Sequence, residues 1–115
     1  MRYALLICND ELAYGARSPE EASASMAEYA AFGEEMTKRG ILKDGARLRP
    51  TGDATTVRVT DGEIVTSDGP FAETKEQIGG YYIVECKDLD EAIEVASKIP
   101  AAKDGSIEVR PVWDM

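Results

Sequence analysis

Two strand-like segments, Arg2 to Cys8 and Gly80 to Cys86, are apolar on both of their alternating sets of side chains. In the first, Tyr3, Leu5 and Ile7 alternate with Ala4, Leu6 and Cys8; in the second, Tyr81 and Ile83 alternate with Tyr82 and Val84. Successive side chains of a strand point to opposite faces of a sheet, so strands of this kind need cover on both sides. A chain of 115 residues has little to cover them with. At this size only about two-thirds of the unfolded surface is buried on folding, which leaves room for one core. A single domain over residues 1–115 is expected.

Helical patterning supplies two covering elements. Ser18-Pro19-Glu20-Glu21 is a capping box with proline at the first helical position, and Ala22, Met26, Tyr29, Gly33 and Met36 recur at helical spacing as far as Gly40. Asp88 and Glu91 cap a second helix through Ala92, Ile93, Val95, Ala96 and Ile99, which Pro100 ends. Ile41 to Arg49 is strand-like with an interruption at Gly45, and the breakers Pro50 to Asp53 follow it. Thr55 to Thr60 and Glu63 to Ser67 then form a hairpin around Asp61-Gly62, a pair suited to a two-residue loop in which both positions need positive φ. Gly79-Gly80 permits a bulge or a close backbone approach where the next strand begins. The last strand runs from Ser106 to Trp113, with Ile107, Val109 and Trp113 on one face and Glu108, Arg110 and Val112 on the other.

This order predicts an α+β fold of the ferredoxin-like βαββαβ plan, with the hairpin inserted between the second and third main strands. Two helices cover one face of a four-stranded sheet, and a partner subunit's sheet is the simplest cover for the other. The expected assembly is a homodimer. In this plan Cys8 and Cys86 lie at opposite ends of neighbouring antiparallel strands, on the order of 20 Å apart, which excludes a disulfide between them.

Lys and Arg number 13 against 22 Asp and Glu, a net charge of −9, and the basic residues are scattered along the chain. Such a surface repels phosphate backbones, so nucleic acid is not an expected partner. No segment approaches the roughly 20 apolar residues of a membrane span, and the first residues read as a strand rather than a signal peptide. The two cysteines stand alone and histidine is absent, so no metal set, redox motif or cofactor is indicated. A cytoplasmic location with reduced thiols is expected.

Several motifs resemble the DGPF-domain branch of the YCII-related family. They are Asp68-Gly69-Pro70-Phe71-Ala72-Glu73-Thr74-Lys75-Glu76, Gly79-Gly80-Tyr81-Tyr82, Asp88-Leu89-Asp90-Glu91-Ala92 and Glu108-Val109-Arg110-Pro111. Arg2-Tyr3 with its apolar run and Ser18-Pro19-Glu20-Glu21 extend the likeness over nearly the whole chain. The resemblance implies a dimeric α+β barrel, two protomers joined sheet to sheet, with a cleft in each near the seam. It also implies association with extracytoplasmic-function sigma factors for some members. The acid–base pair of His and Asp proposed for certain relatives does not carry over, because this chain has no histidine.

Candidate site residues each have a structural and a functional reading. Asp68 is either a turn former ahead of Gly69 or a base lifted into the cleft, with Phe71 excluding water and raising its pKa. Lys75 belongs to a charge run with Glu73 and Glu76 that reads as solvated surface, or it steadies an anionic ligand. Arg110 sits in a late strand, where a guanidinium needs a partner: Glu108, a carboxylate of the other subunit, or an anionic substrate. Tyr29, Tyr81, Tyr82 and Trp113 read as core or interface aromatics, with Tyr82 the tyrosine assigned to the cleft. Two functions follow. One is a cofactor-independent enzyme acting on a small anionic organic molecule, with Asp68 as base and Arg110 as anchor; the alternative is a non-catalytic ligand-binding or regulatory module that works with a sigma factor.

Overall fold

The computed structural model describes every residue except Glu73 and Met115. Its body is one four-stranded antiparallel sheet built from β1 (Arg2–Asn9), β2 (Leu42–Arg47), β5 (Gln77–Glu85) and β6 (Ser106–Pro111), in the order β2-β5-β1-β6. The two apolar strands are therefore the central pair, running antiparallel with Tyr3 opposite Val84 and Leu5 opposite Tyr82. Cys8 and Cys86 fall at opposite ends of that pair and are free thiols.

Helices α2 (Pro19–Lys38) and α3 (Leu89–Ser97) supply the apolar cover for the face that carries Tyr3, Leu5, Ile7 and Val84. The capping box forms as the sequence predicts: the Glu21 N–H donates to the Ser18 hydroxyl at 3.1 Å and the Ser18 N–H to the Glu21 carboxylate at 3.2 Å. Gly40, at φ 72°, ends the helix in a Schellman turn, with the Ile41 N–H donating to the Met36 carbonyl and the Gly40 N–H to that of Thr37. Leu5, Met36, Val84, Val95 and Ile99 have no exposed surface and form the centre of the core.

The inner face of α2 holds Ala22, Tyr29, Gly33 and Met36 as expected, and departs from expectation at two positions. Phe32 is buried as well, whereas Met26 is 67% exposed. The C-terminal half of the helix packs on the sheet, and its N-terminal half stands as the wall of a cleft. Further departures concern strand ends. β2 is shorter than Ile41 to Arg49, and its irregularity falls beside Lys43, while Gly45 stays in register with Tyr82. β6 stops at Pro111, which leaves Trp113 exposed beyond the ladder. A short helix, α1 (Glu11–Gly15), capped by the Asp10 carboxylate, occupies a stretch for which the sequence gives no periodic signal.

The hairpin β3 (Thr55–Thr60) and β4 (Glu63–Asp68) forms where expected, with Asp61 and Gly62 at φ 51° and 79°. It is a separate two-stranded sheet. The Cα radius of gyration is 16.0 Å, against about 13 Å for a compact domain of this length. The molecule measures only 18 Å across its thinnest axis, so the hairpin reads as an arm on a flat body.

Candidate functional site

The cleft begins with a break in strand register. β1 and β5 pair Ile7 with Gly80 but Cys8 with Ile78, so Gly79 is the extra residue of a bulge, at the position the glycine pair predicts. The Leu48 N–H donates to the Gly79 carbonyl at 2.9 Å and draws the end of β2 over the bulge. A Cβ on Gly80 would lie 2.9 Å from the Ala46 carbonyl oxygen, and one on Gly45 would lie 2.7 Å from the Tyr82 ring. Both glycines are needed for β2 to approach β5 this closely.

Above this floor lies a cleft of about 850 Å³. Tyr14 of α1 with Met26 and Tyr29 of α2 form one wall, and residues Arg47 to Pro50 form the other. Glu11 ties the two walls together, its carboxylate accepting from the N–H and the hydroxyl of Thr51, each at 2.8 Å. With both oxygens engaged in this way, Glu11 acts as a brace.

Three arginines, Arg17, Arg47 and Arg49, are among the residues that line the same cleft in a chain whose net charge is −9. Arg17 is held in place, its Nε donating to the Tyr14 carbonyl at 2.9 Å and its guanidinium 3.6 Å from the centroid of the Tyr14 ring. Arg49 pairs with Asp53 at 2.9 Å. Arg47 makes no ion pair among the described residues. Burial, with Tyr14 and Tyr82 nearby, pushes the Tyr29 phenol up to about 12. Burial raises Tyr82 as well. Both phenols keep their protons at neutral pH. Burial also pushes the Cys8 and Cys86 thiols up, so neither is an activated nucleophile. A cleft lined by three arginines and two neutral tyrosines beside the apolar side chains of Ile7 and Met26 suits an anion with an apolar body.

Of the residues singled out from sequence, Tyr82 lines this cleft, its ring 5.0 Å from that of Phe32. Asp68 is the exposed last residue of β4, opposite Thr55. Phe71 is 74% exposed, with the Arg58 guanidinium 4.8 Å from its ring centroid, so it shields little from water. Lys75 is exposed, and Glu73 lies outside the described residues. Arg110 pairs with Glu108 in register with Ala4, on the sheet face opposite the helices. Arg17, Arg47 and Arg49 look scattered in the sequence because three different elements bring them together. Two signals were present. Arg47 and Arg49 are spaced to share a side of an extended chain, and Asp10-Glu11 is a helix start directly after a strand.

Among the described residues, no group of three or more His, Cys, Asp or Glu side chains is arranged to hold a metal ion, and no helix is long and apolar enough to cross a membrane. The model of the YCII-related domain matches residues 1–115. The chain is 44% identical over 114 residues to an uncharacterized protein of Rhizobium meliloti, an alignment that covers 97% of this chain and 92% of that protein. With fold length, motifs and relative in agreement, the chain belongs to the YCII-related domain family.

Proposed function

We propose that this protein binds a small organic anion with an apolar body in the cleft between α1, α2 and the end of β2. The observation that carries this reading is the convergence of Arg17, Arg47 and Arg49 on one 850 Å³ cleft in an otherwise acidic chain. Binding is better supported than turnover. Within one protomer Asp68 is not among the cleft-lining residues, and the carboxylate that is, Glu11, already accepts two hydrogen bonds. Asp68 serves as a base only if a second subunit delivers it.

The ferredoxin-like plan and the homodimer belong to the same reading. The antiparallel order β2-β5-β1-β6, with α2 following β1 and α3 following β5, supports the plan. The half-exposed Ala4, Leu6, Tyr81 and Ile83 on the face without helices support a partner sheet laid against them.

A thermal-shift screen with aromatic and aliphatic carboxylates tests the cleft. A carboxylate at ~100 times its dissociation constant adds roughly 2.7 kcal/mol to stability. That shift is expected to disappear in Arg47→Ala and to persist in Arg110→Ala. Loss in Arg110→Ala with retention in Arg47→Ala would move the anion site to the other face of the sheet. Equal shifts from neutral analogues would remove the charge argument altogether.

A further inference from the structure

The hairpin is the least explained part of the molecule. Val57, Val59 and Ile64 are 60%, 69% and 77% exposed. The ladder sets Val59 opposite Ile64 and Val57 opposite Thr66, so these four side chains form one continuous face. A two-stranded hairpin alone in water is marginally stable at best, and one built from β-branched residues with an uncovered apolar face is not expected to stand free.

Charge identifies the cover. On this face the only ionisable side chain is Asp68, at the base beside Thr55, although the chain as a whole carries −9. A basic or acidic partner would find nothing to pair with across the Val57–Ile64 patch. Two copies of the patch, related by a two-fold axis, meet without opposing charges, as an isologous contact requires. On the reverse side the ring of Phe71 lies against the Arg58 guanidinium, so that side has its own local cover. The Val57, Val59 and Ile64 side has none from its own chain.

We infer that the hairpin arm is a second assembly surface, packing face to face on the arm of another copy and joining dimers into a dimer of dimers. The area sets the stoichiometry. One such patch offers on the order of 300 Å² of apolar surface per copy, well short of the ~800 Å² per partner typical of a stable interface. Two sheet-face dimers related by a two-fold axis engage two arm contacts together, which brings the area to about 600 Å² per dimer, the lower end for specific interfaces, and makes the second contact intramolecular. This part rests on the sheet-face dimer proposed above.

Sedimentation or light scattering across a concentration series separates the two ideas. At 12.5 kDa per chain, the wild-type chain is expected at four times that mass near ~100 μM, and Val59→Lys/Ile64→Lys at twice that mass with an unchanged melting temperature for the body. Val59→Ser/Ile64→Ser, which adds no charge, is expected to weaken the tetramer in the same direction. A wild-type chain that stays at twice 12.5 kDa at every concentration overturns the arm contact and leaves the sheet dimer standing. A wild-type chain of 12.5 kDa overturns both. A tetramer of unchanged mass in the lysine variant shows that the arm is not the contact, and also overturns the inference.

Discussion

The body and the arm of this protein are built from similar strand sequences and end in opposite environments. β1 alternates Tyr3, Leu5 and Ile7 with Ala4, Leu6 and Cys8 and buries the first three. β3 sets Val57 and Val59 on one face, with Thr56, Arg58 and Thr60 on the other, and buries neither valine. The strand pattern does not make the difference. What does is the presence of Met36 and Val95, delivered by helices whose caps aim them at one side of one sheet, and of Ile99 just beyond the second helix. Strand alternation states a need for cover, and only an element elsewhere in the chain, or in another chain, meets it. The body is thus expected to unfold as the cooperative unit, and the arm to open locally at lower free energy.

The largest test of that contrast is a pair of side-chain deletions, one in the core and one on the arm. Leu5→Ala removes a side chain with no exposed surface, and such substitutions cost about 2–5 kcal/mol. Ile64→Ala in dilute protein is expected to cost about 0.5 kcal/mol or less, as at other exposed positions. Denaturant unfolding followed by circular dichroism measures both. Equal losses would mean that the arm belongs to the cooperative core.

A pair of glycines sharpens the contrast through the backbone. Gly80→Ala places a Cβ 2.9 Å from the Ala46 carbonyl, where only a shift of β2 relieves it; overpacking of this kind costs about 1–3 kcal/mol. It should also weaken anion binding, because the same approach shapes the cleft. Gly62→Ala meets no neighbour but sits at φ 79°, and a left-handed residue with a Cβ costs roughly 1–2 kcal/mol. The second loss should appear as faster amide exchange confined to residues 55–68, without a change in the body.

Much of the fold was legible before its structure, for reasons particular residues make plain. The capping box, the Asp61-Gly62 turn and the Gly40 stop are local events in which a side chain or a positive φ decides the outcome within four residues. The glycine bulge was legible in the same way. The cleft was not, because only the tertiary fold brings Arg17 and the tyrosine wall to Arg47 and Arg49 at the end of β2. The Asp68 to Phe71 run stands out as a motif, yet the Asp68 and Phe71 side chains are exposed at the base of the arm. A family motif marks what the chain shares with its relatives, and burial, charge and approach distance mark where a ligand fits.

Dependence on alkaline pH should belong to the body alone. Tyr29 is the tyrosine held up to about 12 by burial, against an ordinary value of about 10 in the unfolded chain. The neutral phenol is the form the fold prefers, so its contribution is fully present below pH ~10 and lost as pH rises through about 12. A phenolate absorbance titration should show a late step that Tyr29→Phe removes. Carboxylate ligands should leave that step in place or move it higher, since an anion near the ring disfavours the phenolate further.

The smallest effect lies on the outer surface of the body, where α2 meets α3. Arg39 donates to both oxygens of Glu94, at 3.2 and 3.0 Å, and Lys98 donates to Glu35 at 2.7 Å. The hydrogen bond from Arg39 holds Glu94 below the usual carboxylate range, and that from Lys98 does the same for Glu35. A depressed carboxylate stabilises the fold above its unfolded pKa and loses that contribution as pH falls through the folded value. Arg39→Ala should therefore lower the melting temperature by a few degrees at neutral pH and by less at strongly acidic pH, where the carboxylates are protonated in both proteins. Added salt should narrow the gap at neutral pH, because these groups are partly exposed and screened. The arm has no counterpart to this network among the described residues; a variant with the arm shortened to a tight turn should keep the same acid profile. If it does not, charges on the arm reach the body, and the division between the two regions is less sharp than their packing implies.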